Sequence, residues 1–206
     1  LMFEKLGIDT MKVLEAAKLK YNFQVHYPGA GVGGPCLPIN SYQLLNTARR
    51  TGVKLSIVES GRKINEIMPD HVIELTSNAF EECKKSLENS EILILGLSYK
   101  PNVKDIQLSP AKHIIEKFQK LGVNVHVYDP FFLSSEVFGL KVEENLENTL
   151  SKMDGAIIVT GHDDFKKIPL SSFTKMKSRI LIDCRGIIDP ISVKNEKIIF
   201  RGLGRG

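Results

Sequence analysis

The stretch PGAGVGGPCLPIN, residues 28–40, joins one thiol to four glycines and three prolines. A thiolate is a strong nucleophile, and glycine lets the backbone adopt positive φ and bring amide N–H groups close to an anion. These residue types favour a reactive Cys36 beside an anion-binding loop. The alternative is a tight connection between helices in which Cys36 is a small buried apolar residue.

Gly29, Gly31 and Gly34 also match the letters G-x-G-x-x-G. A dinucleotide-binding turn needs a strand before the glycines, a helix opening on the third glycine and an acidic residue about 20 positions later. Here no strand leads into such a turn, prolines follow at once, and the next acidic residue is Glu59. The pattern therefore argues against a dinucleotide fingerprint at this position.

Two histidines are candidate partners for the thiol in a hydrolase, His26 and His162. No third catalytic group is evident near His26, and the residues GHDDF around His162 favour a loop that leads into a helix rather than a metal site. The three cysteines, Cys36, Cys83 and Cys184, match no metal-binding spacing. We expect reduced thiols and no bound metal.

The composition is that of a globular protein, with 206 residues, 42% hydrophobic and 25% charged. The net charge is +4, and the lysines are interleaved with Glu and Asp rather than gathered in one basic block. We therefore expect no nucleic-acid partner, although a small phosphate-bearing ligand would suit. No apolar run is long enough for a membrane span, and no signal-peptide pattern is present. We expect a cytoplasmic protein without a membrane partner.

The N-terminal part of the chain has the apolar spacing of helices. Residues 3–20 predict two short helices with a break between them, and SYQLLNTARRTG predicts a helix closed by Gly52. A long apolar stripe then begins at Ile57, and Pro69 within it predicts either a kink or the start of another helix. Because this stripe would otherwise be partly exposed, we expect a homodimer formed through these helices.

Short apolar runs alternate with helical segments after about residue 90. The runs are EILILGL, VNVHVYD, GAIIVTG, RILIDC and KIIFRGL. Between the first two, Ser109 as cap and Pro110 in the first turn predict a helix. The sequence thus predicts an α/β fold in which a helical dimerisation region, residues 1–85, carries the Cys36 loop. A Rossmann-like parallel-sheet domain follows over residues 86–206, with ligands at the carboxyl ends of its strands.

Several motifs together resemble those of the UDP-glucose/GDP-mannose dehydrogenase family. PGAGVGGPCLPIN is similar to the family's G-x-G-x-G-G-x-C-x-P-x-D, and GLSYKPNVKDIQLSP to its G-L-x-[FY]-K-P-x-x-x-D-x-R-x-S-P. VYDP, VTGHDDF, IDCRGIIDP and FRGLGRG follow in the family's order. The resemblance runs nearly from end to end, and the forms of VTGHDDF and DCRGIIDP are most similar to the branch that acts on UDP-N-acetyl-mannosamine.

This resemblance implies an NAD-dependent UDP-sugar 6-dehydrogenase that oxidises UDP-N-acetyl-D-mannosamine to UDP-N-acetyl-D-mannosaminuronate. It begins inside the family's central helices, so we expect this chain to lack the N-terminal NAD-binding domain and to be inactive alone. Cys36 would attack the aldehyde to give a thiohemiacetal, which is oxidised to a thioester and hydrolysed by water. The alternatives are a catalytically inactive nucleotide-sugar-binding or dimerisation module and a cysteine hydrolase.

The resemblance also implies roles for other residues. Lys100 and Arg185 match family residues that meet the sugar nucleotide, and a cation at either position suits phosphate. Tyr99, beside Lys100, is expected to pack rather than to recognise a ligand. The substrate side of the site would further include the loop glycines Gly29, Gly31, Gly33 and Gly34.

Three positions depart from the family's pattern. Asn40 stands where the family has an aspartate that assists protonation and water activation, and an amide cannot act as a base near neutral pH. Gln107 replaces an arginine that reaches the NAD pyrophosphate, and Leu108 replaces a glutamate. We keep Asn40 as a catalytic position and Gln107 as a cofactor-binding position. The changes bear on turnover and not on the fold.

Overall fold

A computed structural model describes residues 1–205 and contains a parallel sheet of five strands. The strands are β1 (Glu91–Leu95), β2 (Asn124–Tyr128), β5 (Gly155–Ile158), β6 (Ile180–Asp183) and β7 (Ile199–Gly202), and an antiparallel pair, β3 (Glu136–Val137) and β4 (Leu140–Lys141), follows β2. The strand order is β2-β1-β5-β6-β7. Val142 extends the sheet by forming a parallel bridge to Val127 beyond the β2 edge.

Eight α-helices accompany the strands in residues 1–205. They are α1 (Met2–Lys5), α2 (Thr10–Ala17), α3 (Leu37–Arg50), α4 (Ser56–Glu82), α5 (Pro110–Lys120), α6 (Leu146–Leu150), α7 (Leu170–Phe173) and α8 (Pro190–Lys194), with a 3-10 turn at Phe165–Lys167. None of these helices is both long enough and apolar enough to cross a bilayer.

The sequence predicted the main elements correctly, with two differences among the helices. All five apolar runs form strands, and Ser109 caps α5 by accepting a hydrogen bond from Ala111 N at 3.2 Å. However, α3 begins at Leu37, directly after Cys36, because Pro38 fits the first helical turn, where no N–H partner is needed. The idea of a second helix starting at Pro69 is wrong, since α4 is continuous through that residue.

Side chains of the sheet alternate between two apolar cores, as successive residues of a strand must. Ile92 and Ile94 of β1 face the core that α4 and α5 cover, whereas Leu93 and Leu95 face the core that includes the C-terminal helices. Both faces of the parallel sheet are therefore covered. All carboxyl ends of the strands lie at one edge.

Helix α4 belongs to the helical region and to the sheet at once. Val72, Ala79 and Phe80 are fully buried in the same core as the strand residues, while residues nearer the start of α4 face α3 and the Cys36 loop. Pro69 has no N–H group, so the carbonyl of Asn65 is released from the helical hydrogen-bond ladder just where α4 meets that loop. One helix thus sets the position of the loop relative to the sheet.

Candidate functional site

Cys36 lies at the N-terminal end of α3 with its side chain exposed. Its side chain makes no capping hydrogen bond, while its carbonyl accepts the first helical hydrogen bond from Asn40 N at 2.8 Å. The positive end of a helix dipole favours negatively charged groups in its vicinity. The reading of Cys36 as a small buried residue is therefore wrong, because the thiol faces outward.

Gly33 and Gly34, in the loop before Cys36, are buried against the segment that follows β1. A Cβ at Gly33 would overlap the carbonyl of Leu108, and one at Gly34 would lie 2.6 Å from the Tyr99 ring. Gly34 also has φ of +86° and donates its N–H to the Gln107 carbonyl at 2.8 Å. Only glycine fits these positions, and the packing role expected for Tyr99 is the one it has.

Gly29, at the start of the loop, contacts Arg185. A Cβ there would overlap the guanidinium of Arg185, which lies in the turn after β6. The loop thus spans from the β6 end of the sheet to the β1 end. At the β1 end, Gly34, two residues before Cys36, lies against Tyr99, the residue before Lys100.

Asn65 of α4 holds the middle of the loop. Its side-chain oxygen accepts from Val32 N at 2.7 Å, and its side-chain nitrogen donates to Val32 O at 3.4 Å. Gly31 lies beside it, since a Cβ at Gly31 would be 3.6 Å from the Asn65 carbonyl and 3.3 Å from Pro110 Cβ. Sequence reasoning missed Asn65, because a polar residue within an amphipathic helix gives no signal of its own.

Arg185 is half-buried, and its guanidinium makes no ion pair or hydrogen bond with any residue in 1–205. Burial lowers the pKa of Arg185 from its ordinary value, and a guanidinium in a protein keeps its charge. The turn that carries it is fixed by Asp183, whose carboxylate accepts from Arg185 N and Gly186 N at 2.9 Å and from Ile188 N at 2.8 Å. Arg185 is consequently a rigidly mounted cation available to an anionic ligand.

Lys100 is exposed in the segment after β1, with its Nζ 5.6 Å from the centre of the Tyr99 ring. Ser98 Oγ donates to Val103 O at 2.5 Å, and Tyr99 N donates to Asp105 O at 3.0 Å. These hydrogen bonds close the segment into a compact turn. Lys100 therefore projects from an ordered backbone at the same sheet edge as Arg185.

Two of the three residues that depart from the family's pattern, Asn40 and Gln107, lie near the loop with exposed side chains. Asn40 is exposed one helical turn after Cys36, and its side chain makes no hydrogen bond within the described chain. Gln107 contributes its backbone carbonyl to Gly34, while its side chain is exposed at the rim of the loop. Neither side chain supplies the charge that the resemblance associates with its position.

The histidines do not assemble a hydrolase site with the thiol. His26 is exposed, and no hydrogen bond joins it to Cys36 in the described residues. His162 is fully buried and bonded to Asp129 and Asn102 instead. Among residues 1–205, no group of three or more His, Cys, Asp or Glu side chains is arranged to hold a metal ion.

Two cavities of the described chain contain neither Lys100 nor Arg185. A cavity of about 540 Å³ along β7 contains none of the predicted site residues. A second, of about 510 Å³ between α3, α4 and α5, includes Gly31 but neither Cys36, Lys100 nor Arg185. Cys36 and Lys100 are exposed, and Arg185 is half-buried.

Sequence reasoning also overlooked two acidic residues, Asp129 and Asp183. Asp129 directly follows β2 and Asp183 is the last residue of β6, and each accepts backbone N–H groups of a turn at the carboxyl edge of the sheet. The signal was present in the runs VYD and LID, because an acidic residue at the carboxyl end of a buried strand has no solvent and needs donors.

These features define a class of protein: a Rossmann-like α/β protein that mounts two cations at its strand ends beside an exposed thiol. The chain belongs to the UDP-glucose/GDP-mannose dehydrogenase family. The family's central domain matches residues 1–67, and its UDP-binding domain matches residues 93–190.

Relatives with described functions or structures match the whole chain. A UDP-N-acetyl-D-mannosamine dehydrogenase of Pyrococcus horikoshii is 32% identical over 100% of this chain and 46% of its own length. The solved UDP-D-ManNAc dehydrogenase of that organism has a TM-score of 0.88 at 31% identity, covering 100% of this chain and 46% of its own. The NDP-N-acetyl-D-galactosaminuronic acid dehydrogenase of Methanosarcina mazei Go1 has a TM-score of 0.90 at 26% identity, covering 99% and 46%.

The predicted α/β fold with a Rossmann-like domain is confirmed by these structures. The chain spans about half the length of the curated relatives it matches, 46% for the first of them.

Proposed function

We propose that this chain is the thiol-bearing and nucleotide-sugar-binding part of an NAD-dependent UDP-sugar 6-dehydrogenase. The proposed substrate is UDP-N-acetyl-D-mannosamine and the product UDP-N-acetyl-D-mannosaminuronate. The names of relatives that act on UDP-N-acetyl-mannosamine support this substrate. Residues 1–85 would form the dimerisation domain with the Cys36 loop, and residues 86–206 the domain that holds the UDP-sugar.

One observation carries the proposal: the glycine loop before Cys36 lies against both cationic turns of the sheet edge. Gly29 contacts Arg185, and Gly34 contacts Tyr99 next to Lys100. A diphosphate bound by the two cations would therefore sit beside the loop, with the sugar directed toward the thiol. The glycines Gly29, Gly31, Gly33 and Gly34 permit this close approach because each lacks a side chain.

The thiol would hold the sugar carbon covalently during oxidation. The Cys36 sulfur adds to the C6 aldehyde carbon, and the thiol proton passes to the carbonyl oxygen, giving a thiohemiacetal. After oxidation to the thioester, water adds to the same carbon, the C–S bond breaks, and the carboxylate and free thiol result. Asn40 can donate a hydrogen bond to the oxygen on C6, but its neutral amide cannot take a proton from the attacking water.

Two molecules of NAD+, when bound in turn, would supply the oxidising chemistry by accepting one hydride each. The described residues do not form a dinucleotide site by themselves, because the letters G-x-G-x-x-G fall in a loop between α2 and α3 rather than in a βα turn. Gln107 is the one residue of this chain that we assign to contact with the cofactor, through its exposed amide. No oxidation step is therefore assigned to the chain alone, which we propose to be inactive without the rest of the enzyme.

A catalytically inactive nucleotide-sugar-binding or dimerisation module is the second candidate. Two observations favour it: Asn40 offers no base one turn after Cys36, and Gln107 offers no charge beside Gly34. This candidate shares the ligand but predicts that Cys36 forms no bond with it.

We also propose a homodimer through the central helices. Several large apolar side chains of α3, α4 and their connection are exposed in the single chain: Leu44 52%, Val53 54%, Ile57 89% and Ile64 52%. A second copy would remove this apolar surface from water. Sedimentation equilibrium on the chain should report a dimer, and a monomer at high concentration would contradict the assignment.

Calorimetric titration with UDP-N-acetyl-mannosamine, UDP-glucose and UDP tests the binding part of the proposal. All three should bind, with UDP-N-acetyl-mannosamine the tightest. If none of the three binds, the proposed nucleotide site is wrong. In parallel, iodoacetamide labelling should modify Cys36 first, because burial raises the pKa of Cys83 and Cys184. Bound UDP-sugar should protect Cys36, whereas Cys83 serves as the control thiol that it leaves unprotected.

The catalytic part is tested on the full-length gene product with UDP-sugar and NAD+. Formation of NADH that is lost in Cys36→Ala would support covalent catalysis. Tight UDP-sugar binding with no NADH formation and no effect of Cys36→Ala would favour the inactive module instead. Turnover of an ester or amide without NAD+ would indicate a cysteine hydrolase.

A further inference from the structure

A buried pair of polar side chains lies directly beneath the Lys100 loop, which we define as residues 97–105. Asp129 follows β2 and is fully buried. Its Oδ2 accepts from Leu97 N at 2.7 Å and from Ser98 N at 3.3 Å, where the loop begins. One carboxylate therefore fixes the first two residues of the loop.

His162 is equally buried and connects this carboxylate to the middle of the loop. Its Nε2 lies 3.1 Å from Asp129 Oδ2, and its Nδ1 accepts from Asn102 N at 2.9 Å. Because a backbone N–H is only a donor, Nδ1 must carry the lone pair and the proton must be on Nε2. The neutral tautomer with Nε2–H satisfies both hydrogen bonds at once.

The Lys100 loop is tied at Asn102 a second time, from its outer side. The Asn102 side chain donates to Asp163 at 2.7 Å, and its oxygen accepts from Asp163 N at 3.1 Å. Asn102 has φ of +60°, a conformation that needs such support in a residue other than glycine. Lys100 lies between the two fixed points, and its own side chain is exposed.

The apolar surroundings of Asp129 and His162 argue that the pair does more than fill space. The rings of Phe131 and Phe165 lie 5.0 and 5.2 Å from the His162 ring. Placing a carboxylate and an imidazole in such an apolar pocket is unfavourable unless every polar group has a partner. Here the partners are the backbone amides of the Lys100 loop, so the satisfied network also fixes the shape of that loop.

We propose that Asp129 and His162 are positioning residues that hold the Lys100 loop in the conformation that presents Lys100 to the phosphates of the nucleotide sugar. The inference rests on the proposed function, since that function assigns Lys100 to the ligand. Neither residue touches substrate. Both act on it through the backbone of residues 97–102.

The first test measures the loop without any ligand, using the 206-residue chain and His162→Gln. Glutamine places its amide where the imidazole Nε2 lies and so keeps a donor toward Asp129, but it leaves the position of Nδ1 empty, so the Asn102 N–H loses its nitrogen acceptor. We expect the nitrogen–nitrogen coupling across this hydrogen bond to be present in wild type and absent in the variant, with Asn102 amide exchange faster by about tenfold. Phe165→Leu is the control, because it loosens the same pocket without removing a hydrogen bond to the loop. Equal exchange at Asn102 in wild type and His162→Gln would overturn the inference.

The second test is a double-mutant cycle on UDP binding. His162→Gln should weaken UDP by about tenfold in the wild-type chain and by much less in a Lys100→Met background, because the loop then has no cation to present. A general loss of stability would weaken binding equally in both backgrounds, and that result would overturn the inference. If wild type binds no UDP, the proposed function fails, while faster Asn102 exchange in His162→Gln still supports the hold on the loop.

Discussion

The Cys36 loop and the two cationic turns stand at the same sheet edge but are held by different means. The Cys36 loop is shaped by glycines whose missing side chains allow contact with Tyr99, Leu108 and Arg185. The Arg185 turn and the Lys100 loop are instead held by buried carboxylates that accept backbone N–H groups. Steric fit positions the nucleophile, and hydrogen bonding positions the charges.

The difference separates two kinds of sensitivity. A loop held by close packing tolerates no added atoms, although changes of pH should leave it in place. A turn held by a carboxylate tolerates changes in its own side chains, but it depends on the protonation state of its anchor. The following predictions use this difference, beginning with the largest effect.

Gly34→Ala should lower the free energy of unfolding by about 3 kcal/mol, because it combines positive φ with overlap of the Tyr99 ring. Gly61→Ala is the matched control, since Gly61 is in α4 with no atom within 4 Å of an added Cβ. That change should raise stability by roughly 0.5 to 1 kcal/mol. Urea unfolding measures both, and similar shifts for the two variants would contradict steric positioning of the loop.

Arg185→Met should weaken UDP binding by at least about tenfold, because a hydrogen-bonded charge pair with phosphate is lost. Stability should be unchanged or slightly higher, since a half-buried cation without a partner is removed. Arg50→Met removes the same charge from the exposed last turn of α3 and serves as the control. Equal losses of affinity in calorimetry would mean that net charge, and not the Arg185 turn, attracts the ligand.

The two anchoring carboxylates should give pH dependences of opposite sign. Burial acts to raise the pKa of Asp129, but hydrogen bonds from His162 and from backbone amides outweigh it and lower the pKa below 3.8. The stability from this group is present above pH 3.8 and is lost as pH falls through the folded pKa. Burial raises the pKa of Asp183 above 3.8, so its contribution is present below pH 3.8 and is lost as pH rises through the folded pKa.

Unfolding of wild type, Asp129→Asn and Asp183→Asn between pH 3 and 6 measures these slopes, each at most about 1.4 kcal/mol per pH unit. The wild-type advantage over Asp129→Asn should shrink toward acid. The advantage over Asp183→Asn should shrink toward neutral pH. If both advantages change in the same direction with pH, the pKa values of Asp129 and Asp183 are not shifted in opposite directions, and the prediction is wrong.

Asn65→Ala should have the smallest effect, a loss of about 1 kcal/mol from the two hydrogen bonds to Val32. The alkylation rate of Cys36 should change a few-fold, because the loop before it loses one support. Asn78→Ala, at an exposed position of the same helix, shares the gain in helix propensity and should not alter that rate. A Cys36 rate that is the same in both variants would remove Asn65 from the site.

Periodicity and capping residues predicted the strands and α5, because those signals are local in the chain. The motifs shared with the family directed attention to Cys36, Lys100 and Arg185, and the glycines before Cys36 do contact the segments that carry Lys100 and Arg185. The contact of Asn65 with the loop and the bond of His162 to Asn102 escaped prediction, because the partners are 33 and 60 residues away in sequence. Hydrogen bonds between distant segments leave no periodic pattern, so only coordinates reveal them.

Helix α4 sets the distance between the Cys36 loop and the sheet. Asn65 is hydrogen-bonded to the loop, and Val72, seven residues later, is buried in the core, a spacing of about 10 Å along the helix axis. Inserting or deleting one residue between them would rotate Asn65 by about 100° around the helix axis relative to Val72, so the loop would lose its hydrogen bonds to Asn65. The length of this span therefore matters for the position of the loop as much as its side chains do.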